Sequence, residues 1–240
     1  MSYSQRLLEQ GSSLTRLAHQ SRFDRVLKLL DNPPYQKVLD YGCGDGLLLK
    51  VARDRGLIQA GYGVDLAPNM ITACLDIFAG DSDFKFCQPA AMPNLIPPHS
   101  CDLLLCTETL EHVNSPSKIL DTVLPYCQPQ AKVIISIPIE VGPSLLFKQI
   151  GRYLANLKSR YGYERYTPQE LFSAAILWQT KTFPSSHNQD VPIRSHKGFD
   201  YRDLEATLRE KIKIEQRLFS PFPLLQNTIN STVFYIGSIR

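Results

Sequence analysis

The stretch VLDYGCGDG, residues 38–46, decides the fold. Its first half lies in a short apolar run, Lys37–Tyr41, and its second half places glycine at alternate positions, Gly42, Gly44 and Gly46. Leu47–Arg55, which follows, has helical character. An apolar run, a glycine-rich turn and a helix in this order predict a strand whose end lies close to a ligand. Glycine lets the backbone bend sharply and approach where a β-carbon would collide.

The alternation continues outward from this unit. Tyr62–Leu66 reads as a second strand, Pro68–Ala79 as a helix opened by proline, and Phe84–Cys87 as a third strand. Cys101–Cys106 (CDLLLC) is a fourth strand, Pro116–Tyr126 a helix and Ala131–Ile137 a fifth strand. Near-continuous apolar strands separated by helices belong to a parallel sheet covered on both faces. Glu140–Lys197 breaks the rhythm with two helical stretches, Ser144–Leu157 and Pro168–Trp178. A helix at Tyr201–Glu210 and strands near Lys213–Leu218 and Thr232–Ser238 restore it. Apolar residues between Ser4 and Leu30 suit two amphipathic helices against the sheet or over its open edge. The expected fold is α/β, Rossmann-like and doubly wound. Its mostly parallel seven-stranded sheet carries helices on both faces and a helical insert after the fifth strand.

Composition narrows the function classes. The chain has 240 residues, 43% hydrophobic and 20% charged, which describes an ordinary globular protein with room for one α/β core and an elaboration. The net charge of +3, without dense basic runs, neither demands nor forbids nucleic acid. No stretch reaches the ~20 apolar residues that cross a bilayer, and Met1–Gln20 lacks a signal-peptide centre, so a cytoplasmic location is expected. The six cysteines, at 43, 74, 87, 101, 106 and 127, form no CxxC pair and read as reduced, structural thiols.

In a doubly wound sheet the ligand lies beyond the C-terminal strand ends. The first strand ends at Asp40 and Tyr41 before the glycines, and the second ends in Asp65, whose carboxylate can accept hydrogen bonds from both hydroxyls of a ribose. A nicotinamide dehydrogenase would place its third glycine at position 47, which is leucine. GxGxG suits a cofactor without phosphates. VLDYGCGDG at 38–46, GVDLAPNM at 63–70, CDLLLCTETLEHV at 101–113 and AKVIISIPIE at 131–140 together resemble the successive motifs of class I S-adenosylmethionine-dependent methyltransferases. The resemblance covers roughly residues 25–140. It implies that Gly42, Cys43 and Gly44 line the methionine moiety, Asp65 the ribose and Leu66 one adenine face, with Asp40 and Thr107 among the cofactor contacts. The acidic residue that such enzymes often carry after the third strand is missing. Gln88 or a backbone carbonyl stands in for it.

The tetrapeptide NPPY at 32–35 spells the motif with which amino-methylating enzymes hold a target nitrogen. Those enzymes carry it after the fourth strand. Here it precedes the first, whose five or so residues span ~17 Å, so it enters the sheet at the end opposite the cofactor and reads as a turn.

The fourth strand ends in Thr107, Glu108, Thr109, Leu110, Glu111 and His112. In a helical turn, spacings of three and four bring Glu108, Glu111 and His112 together. This ExxEH, with a later histidine in RSHKGFDYR at 194–202, resembles two groups of metal-dependent O-methyltransferases. One is the catechol-methylating enzymes of ubiquinone synthesis. The other is the small-RNA 3′-terminal 2′-O-methyltransferases, from which this chain departs by one extra residue between His196 and Phe199. The resemblance implies Glu108, Glu111, His112 and His196 as ligands of Mn2+ or Mg2+. Many methyltransferases of this class carry a Glu and a His here with no metal, and then His112 or His196 is the catalytic base.

One methyltransferase domain over 1–240 is expected. Residues 1–36 form N-terminal helices, 37–139 the cofactor-binding core, 140–197 a helical lid insert, and 198–240 the C-terminal strands and helix. The insert interleaves Leu145, Leu146, Phe147, Ile150, Tyr153, Leu154 and Leu157 with Lys148, Arg152, Lys158 and Arg160, and Tyr161, Tyr163, Tyr166 and Trp178 add aromatic faces. Such a segment suits a water-excluding lid, peripheral contact with a membrane surface, or ordinary packing. The expected function is O-methylation of a small-molecule or lipid-like acceptor. A 2′-O-methyltransferase of RNA, disfavoured by the modest charge, and a non-catalytic cofactor-binding scaffold are the alternatives.

Overall fold

The computed structural model describes Ser4 and residues 13–30, 34–158, 166–184 and 196–240. Successive residues of a strand face opposite sides of a sheet, so a strand buried on both faces must be apolar throughout. The first strand, β1 (Tyr35–Tyr41), and the fourth, β4 (Cys101–Thr107), lie at the centre of the sheet, where Val38, Leu39 and Leu103–Cys106 are apolar and buried, while Gln36 and Asp102 stand near the strand starts. Val38, Leu103 and Leu105 point into one core layer, whereas Leu39 and Leu104 point into the other.

The remaining strands are β2 (Ile58–Val64), β3 (Phe84–Cys87), β5 (Cys127–Pro138), β6 (Ile212–Ser220) and β7 (Thr232–Ile239). The sheet order is β3-β2-β1-β4-β5-β7-β6. β1 to β5 are parallel, and β7 runs antiparallel to both β5 and β6. One face is covered by α1 (Ser13–Leu29), α2 (Leu47–Asp54) and α3 (Pro68–Ile77), through Val26, Leu27, Leu49, Ala52 and Cys74. The other is covered by the one-turn α4 (Met92–Leu95), α5 (Pro116–Val123) and α8 (Tyr201–Lys211), through Met92, Leu120, Val123, Tyr201, Leu204 and Leu208. The seven strands, the mixed sheet and the two helical layers match the sequence expectation.

The insert contributes α6 (Ser144–Lys158) and α7 (Pro168–Ala175). Thr167 and Glu170 form a reciprocal capping box at the start of α7. Leu145, Ala174 and Ala175 form a small core of their own, and Trp178 lies against Gly142, where an added β-carbon would come within 2.5 Å of its ring. Most of residues 4–12 of the expected first N-terminal helix, Asn32 and Pro33 of NPPY, and Arg160, Tyr161 and Tyr163 lie outside the described residues, as do Arg194 and Ser195. Among the described residues no helix is long and apolar enough to cross a membrane.

β1 starts two residues earlier than the sequence reading placed it, and β2 and β5 each start four residues earlier. β2 begins at Ile58, paired with Tyr35, because hydrogen bonding to β1 carries the ladder through the exposed Gln59 and the buried Gly61, which interrupt the apolar pattern. It ends at Val64, leaving Asp65 and Leu66 just beyond the sheet. β5 begins at Cys127, through the exposed Gln128, Pro129 and Gln130, beside a register shift between Cys101 and Leu103.

β1 and β4 diverge here, since the order runs 3-2-1 on one side and 4-5 on the other, and doubly wound sheets bind ligands at such a switch point. That function requires a rigid centre. Leu104, fully buried in β4, supplies a test: Leu104→Ala should cost about 2–5 kcal/mol of stability in urea unfolding. A loss under ~1 kcal/mol would mean that this layer is not close-packed.

Candidate active site

The loop after β1 is built by main-chain hydrogen bonds to β2. The N–H groups of Gly42 and Cys43 both donate to the Val64 carbonyl, at 2.7 and 3.0 Å. Gly42 has φ +84°, and a β-carbon there would lie 2.0 Å from Thr109 Oγ1, so both conformation and space demand glycine. Gly44 has φ +56° and nothing within 4 Å of its β-carbon position, so its backbone borders open space. Its N–H donates to Asp65 Oδ2 at 3.0 Å, while Asp65 Oδ1 accepts from Ala67 N at 2.9 Å. Asp65 thereby joins the glycine loop to the start of α3. Beyond it, Leu66 is 62% exposed, and the Gln88 amide donates to the Leu66 carbonyl at 2.8 Å.

A cleft of about 160 Å³ opens above this loop, lined among others by Arg22, Asp40, Gly44, Thr107 and Glu108. Asp40 is buried, and its Oδ1 has no hydrogen-bond partner among the described residues. Burial first, and the nearby Asp65 second, push its carboxyl up to about 7. Cys43 and Cys74 meet behind the loop at 3.9 Å between sulfurs, and all six cysteines are free and buried.

Helix α1 closes the other side of the cleft, a contribution that the sequence reading did not identify. Arg22 donates through Nη1 to Glu108 Oε2 at 2.8 Å, and its Nη2 lies 2.8 Å from His19 Nδ1. Burial, and then Arg22, hold His19 down at about 4, so it is neutral and Nδ1 accepts from the guanidinium. Ser4 donates to Asp45 of the glycine loop through both N and Oγ, at 2.7 and 2.6 Å. The available signal was the i, i+3 spacing of His19 and Arg22 on one helical face.

At the end of β4, Glu108 has φ +51°, and its N–H donates to the Ser136 carbonyl at 2.8 Å. Its carboxylate accepts from Arg22 on one oxygen and from Ser136 Oγ, at 3.2 Å, on the other. Leu110–His112 forms a 3-10 turn that buries Glu111 completely. Burial, followed by the nearby Glu108, pushes the Glu111 carboxyl up from the ordinary carboxylate range. His112 Nε2 lies 3.7 Å from Glu111 Oε1. The His112 and His196 rings stand 4.9 Å apart at 60°. His196 Nδ1 lies 3.8 Å from Oε1 of buried Glu140, which accepts from Lys148 Nζ at 2.9 Å and Arg152 Nη2 at 2.8 Å. Burial holds His196 down at about 4 against the pull of Glu140. Burial would raise Glu140, but Lys148, Arg152 and His196 outweigh it and hold the carboxyl at about 2.

The turn therefore brings the two histidines together, but the expected ligands Glu108, Glu111, His112 and His196 do not form a convergent donor set. Glu108 is turned toward Arg22 and Ser136, and Glu111 is fully buried. Among the described residues no three His, Cys, Asp or Glu side chains are grouped so that they could hold a metal ion.

The buried carboxyl of Asp40 yields a prediction with a definite sign. Between its ordinary 3.8 and about 7 the folded chain keeps a proton that the unfolded chain has shed, so this group lowers stability as pH rises through that window. In urea unfolding, Asp40→Asn should gain on the parent chain progressively from pH ~4 to ~7 and hold a constant advantage above. A stability difference that does not vary with pH would contradict the buried, unpartnered carboxyl.

A family profile described as a methyltransferase domain matches residues 14–177, more than half of the chain. Among curated proteins, a ubiquinone biosynthesis O-methyltransferase of Pseudomonas fluorescens (strain SBW25) is 29% identical over 127 residues, which is 52% of this chain and 54% of the relative. The match thus spans about half the length of that relative. Among solved structures, a magnesium protoporphyrin IX methyltransferase from Synechocystis PCC 6803 with bound SAH superposes with a TM-score of 0.57 at 17% identity, covering 98% of this chain and 92% of that one. A SAM-dependent methyltransferase from Aquifex aeolicus superposes with a TM-score of 0.55 at 13% identity, over 91% and 89% of the two chains. With the glycine loop, the acid beyond β2 and the seven-stranded sheet in place, the chain belongs to the class I S-adenosylmethionine-dependent methyltransferase family.

Proposed function

We propose that the chain transfers the methyl group of S-adenosylmethionine to a hydroxyl oxygen of a small-molecule or lipid-type acceptor. The observation that carries this reading is the meeting of Gly44 N–H and the Asp65 carboxylate at 3.0 Å on the rim where β1 and β4 diverge. The chemistry of the surrounding groups fits the cofactor. Gly44 borders open space that a side chain would fill. Asp40 offers an unsatisfied buried oxygen, which complements a positively charged ammonium or sulfonium. Arg22 supplies a guanidinium for the methionine carboxylate. Asp65 is the acceptor for ribose hydroxyls, Leu66 provides an apolar face for adenine, and Gln88 fixes the chain beside it.

The bound cofactor supplies an electrophilic methyl group on a sulfonium. The protein must hold the acceptor oxygen in line with that carbon and take the proton from it. His112 and His196, whose rings stand 4.9 Å apart after β4, are the imidazoles to which this reading gives that task. His196 is neutral at physiological pH because burial disfavours its charged form, so a nitrogen lone pair is available. Glu140, held at about 2 against its burial by Lys148, Arg152 and His196, is an ionised acid next to the histidines. The insert supports a lipophilic acceptor. Phe147, Ile150 and Tyr153 of α6, with Phe172, Ile176 and Leu177 after them, are all half-exposed or more. The resemblance to a ubiquinone biosynthesis O-methyltransferase supports oxygen as the target.

Saturating S-adenosylmethionine should raise the melting temperature, since a ligand at ~100 times its Kd adds about 2.7 kcal/mol. Asp65→Ala should weaken cofactor binding at least tenfold, roughly 1.4 kcal/mol, in calorimetry. No thermal shift with the parent chain would discard the cofactor. A screen over phenols, isoprenoid phenols and short RNAs, with and without chelator, tests the rest. Transfer to a phenolic hydroxyl, unchanged by chelator, is expected; transfer to RNA alone, or loss of activity restored by Mn2+, would overturn the acceptor or the imidazole-base reading respectively.

A further inference from the structure

Two carboxyl groups stand at the rim that carries the glycine loop, and their surroundings differ. Asp65 accepts a main-chain N–H on each oxygen, from Gly44 and from Ala67. Asp40, the penultimate residue of β1, lines the cleft, is 1% exposed, and has no donor to its Oδ1 among the described residues. The charged group that bears on it is Asp65, a second anion. Cys43 of the loop and Cys106 of β4, both near it, are buried thiols. From α1, Arg22 lines the same cleft but is turned to Glu108 at the end of β4, and His19, neutral, accepts from Arg22. Among the described residues no cation pairs with Asp40.

A carboxyl group placed in this way holds a proton. Burial disfavours its charged form and a like charge nearby disfavours it further, so Asp40 keeps its hydrogen up to about pH 7. An incoming ammonium changes both conditions at once. It brings N–H donors to the unsatisfied oxygen and a positive charge to a buried anion, and hydrogen bonds between charged partners are roughly twice as strong as neutral ones. Proton and ammonium neutralise the same carboxylate, so the arrival of one weakens the hold on the other.

We propose that cofactor binding expels a proton from Asp40: the α-ammonium of the ligand takes its place against the buried carboxylate, and the site thereby selects ligands that carry this amine. The inference rests on the S-adenosylmethionine reading above. The exchange balances: a carboxylic acid and an ammonium give a carboxylate–ammonium pair and one hydrogen ion, which passes to solvent, and no carbon–sulfur bond is touched. The sign of the pH dependence follows. Below about pH 7 the free site is protonated and each ligand must displace a hydrogen ion, so affinity falls about tenfold for each pH unit lost. Above that point the dependence disappears until the ligand's own amine titrates, at about pH 8 for an α-amino group.

Carbon-13 carboxyl shifts test the first half of the exchange with no ligand present. The free protein should show an aspartate signal that titrates near pH 7 and is absent from Asp40→Asn. An Asp40 carboxyl already ionised at about pH 6 would overturn the proposal whether or not the chain binds a nucleoside. Titration calorimetry with S-adenosylhomocysteine, in buffers of low and high ionisation enthalpy, tests the second half. At about pH 6 the wild type should release roughly 0.9 proton per ligand bound, and Asp40→Asn none. Binding by the wild type without release, or undiminished release from Asp40→Asn, would contradict the exchange while leaving the cofactor reading intact. Failure of S-adenosylhomocysteine to bind at all would remove that reading, and this inference with it. The desamino analogue of S-adenosylhomocysteine should bind at least tenfold more weakly at about pH 7; equal affinity would show that the amine is not what replaces the proton.

Discussion

The hydrogen bond from the Gly44 N–H to the Asp65 carboxylate ties the end of one parallel strand to the end of its neighbour, and the site is assembled around it. For that bond to form, β1 and β2 must finish level, which their register provides by pairing Tyr41 with Val64. The loop must also turn back at once, which the two N–H donors on the Val64 carbonyl and the positive φ at Gly42 and Gly44 achieve. Parallel strands share a common rim at their carboxyl ends, so whatever follows β4 arrives at the same level. Thr107, opposite Ser136 of β5, delivers Glu108 to the cleft in this way.

Environment divides the work among the acidic side chains. Asp40, Glu111 and Glu140 are all almost wholly buried, yet their carboxyls are not shifted in the same direction. Asp40 is pushed to about 7 because no cation offsets its burial and Asp65 lies near. Glu111 is driven well up by burial beside Glu108, and Glu140 is held at about 2 by a lysine and an arginine. Residue type alone predicts none of this; the neighbours decide it. The result is a site with a titratable acid on the cofactor side and a fixed anion beside the histidines. Each lies where the charge it would face differs.

Much of the fold was legible because it depends on local pattern. Runs such as CDLLLC at 101–106, apolar except for Asp102, read as a strand buried on both faces, and proline at 68 and 116 marks helix starts directly. The start of β2 was not legible, since Gln59 and Gly61 carry no apolar signal and owe their place to pairing with β1. In the site, the glycine loop, Asp65 and the ExxEH turn stood out because short spacing encodes them. Arg22 did not: its partner Glu108 lies 86 residues away, and only tertiary packing reveals the pair. Glu140 was equally hidden, as a lone glutamate after a strand gains meaning only when α6 folds back with Lys148 and Arg152. The same packing turns Glu108 toward Arg22, a contact that the spacing within ExxEH does not announce.

The central claim is that the rim between β1 and β4 grips an adenosyl sulfonium between the glycine loop and Asp65. A crystal structure with S-adenosylhomocysteine tests it most directly. The account predicts the ribose hydroxyls on the Asp65 carboxylate, the amino-acid end between Asp40 and Arg22, and the sulfur facing the histidines. Ligand density elsewhere on the sheet, or a bound nucleoside that leaves Asp65 without contact, would contradict it.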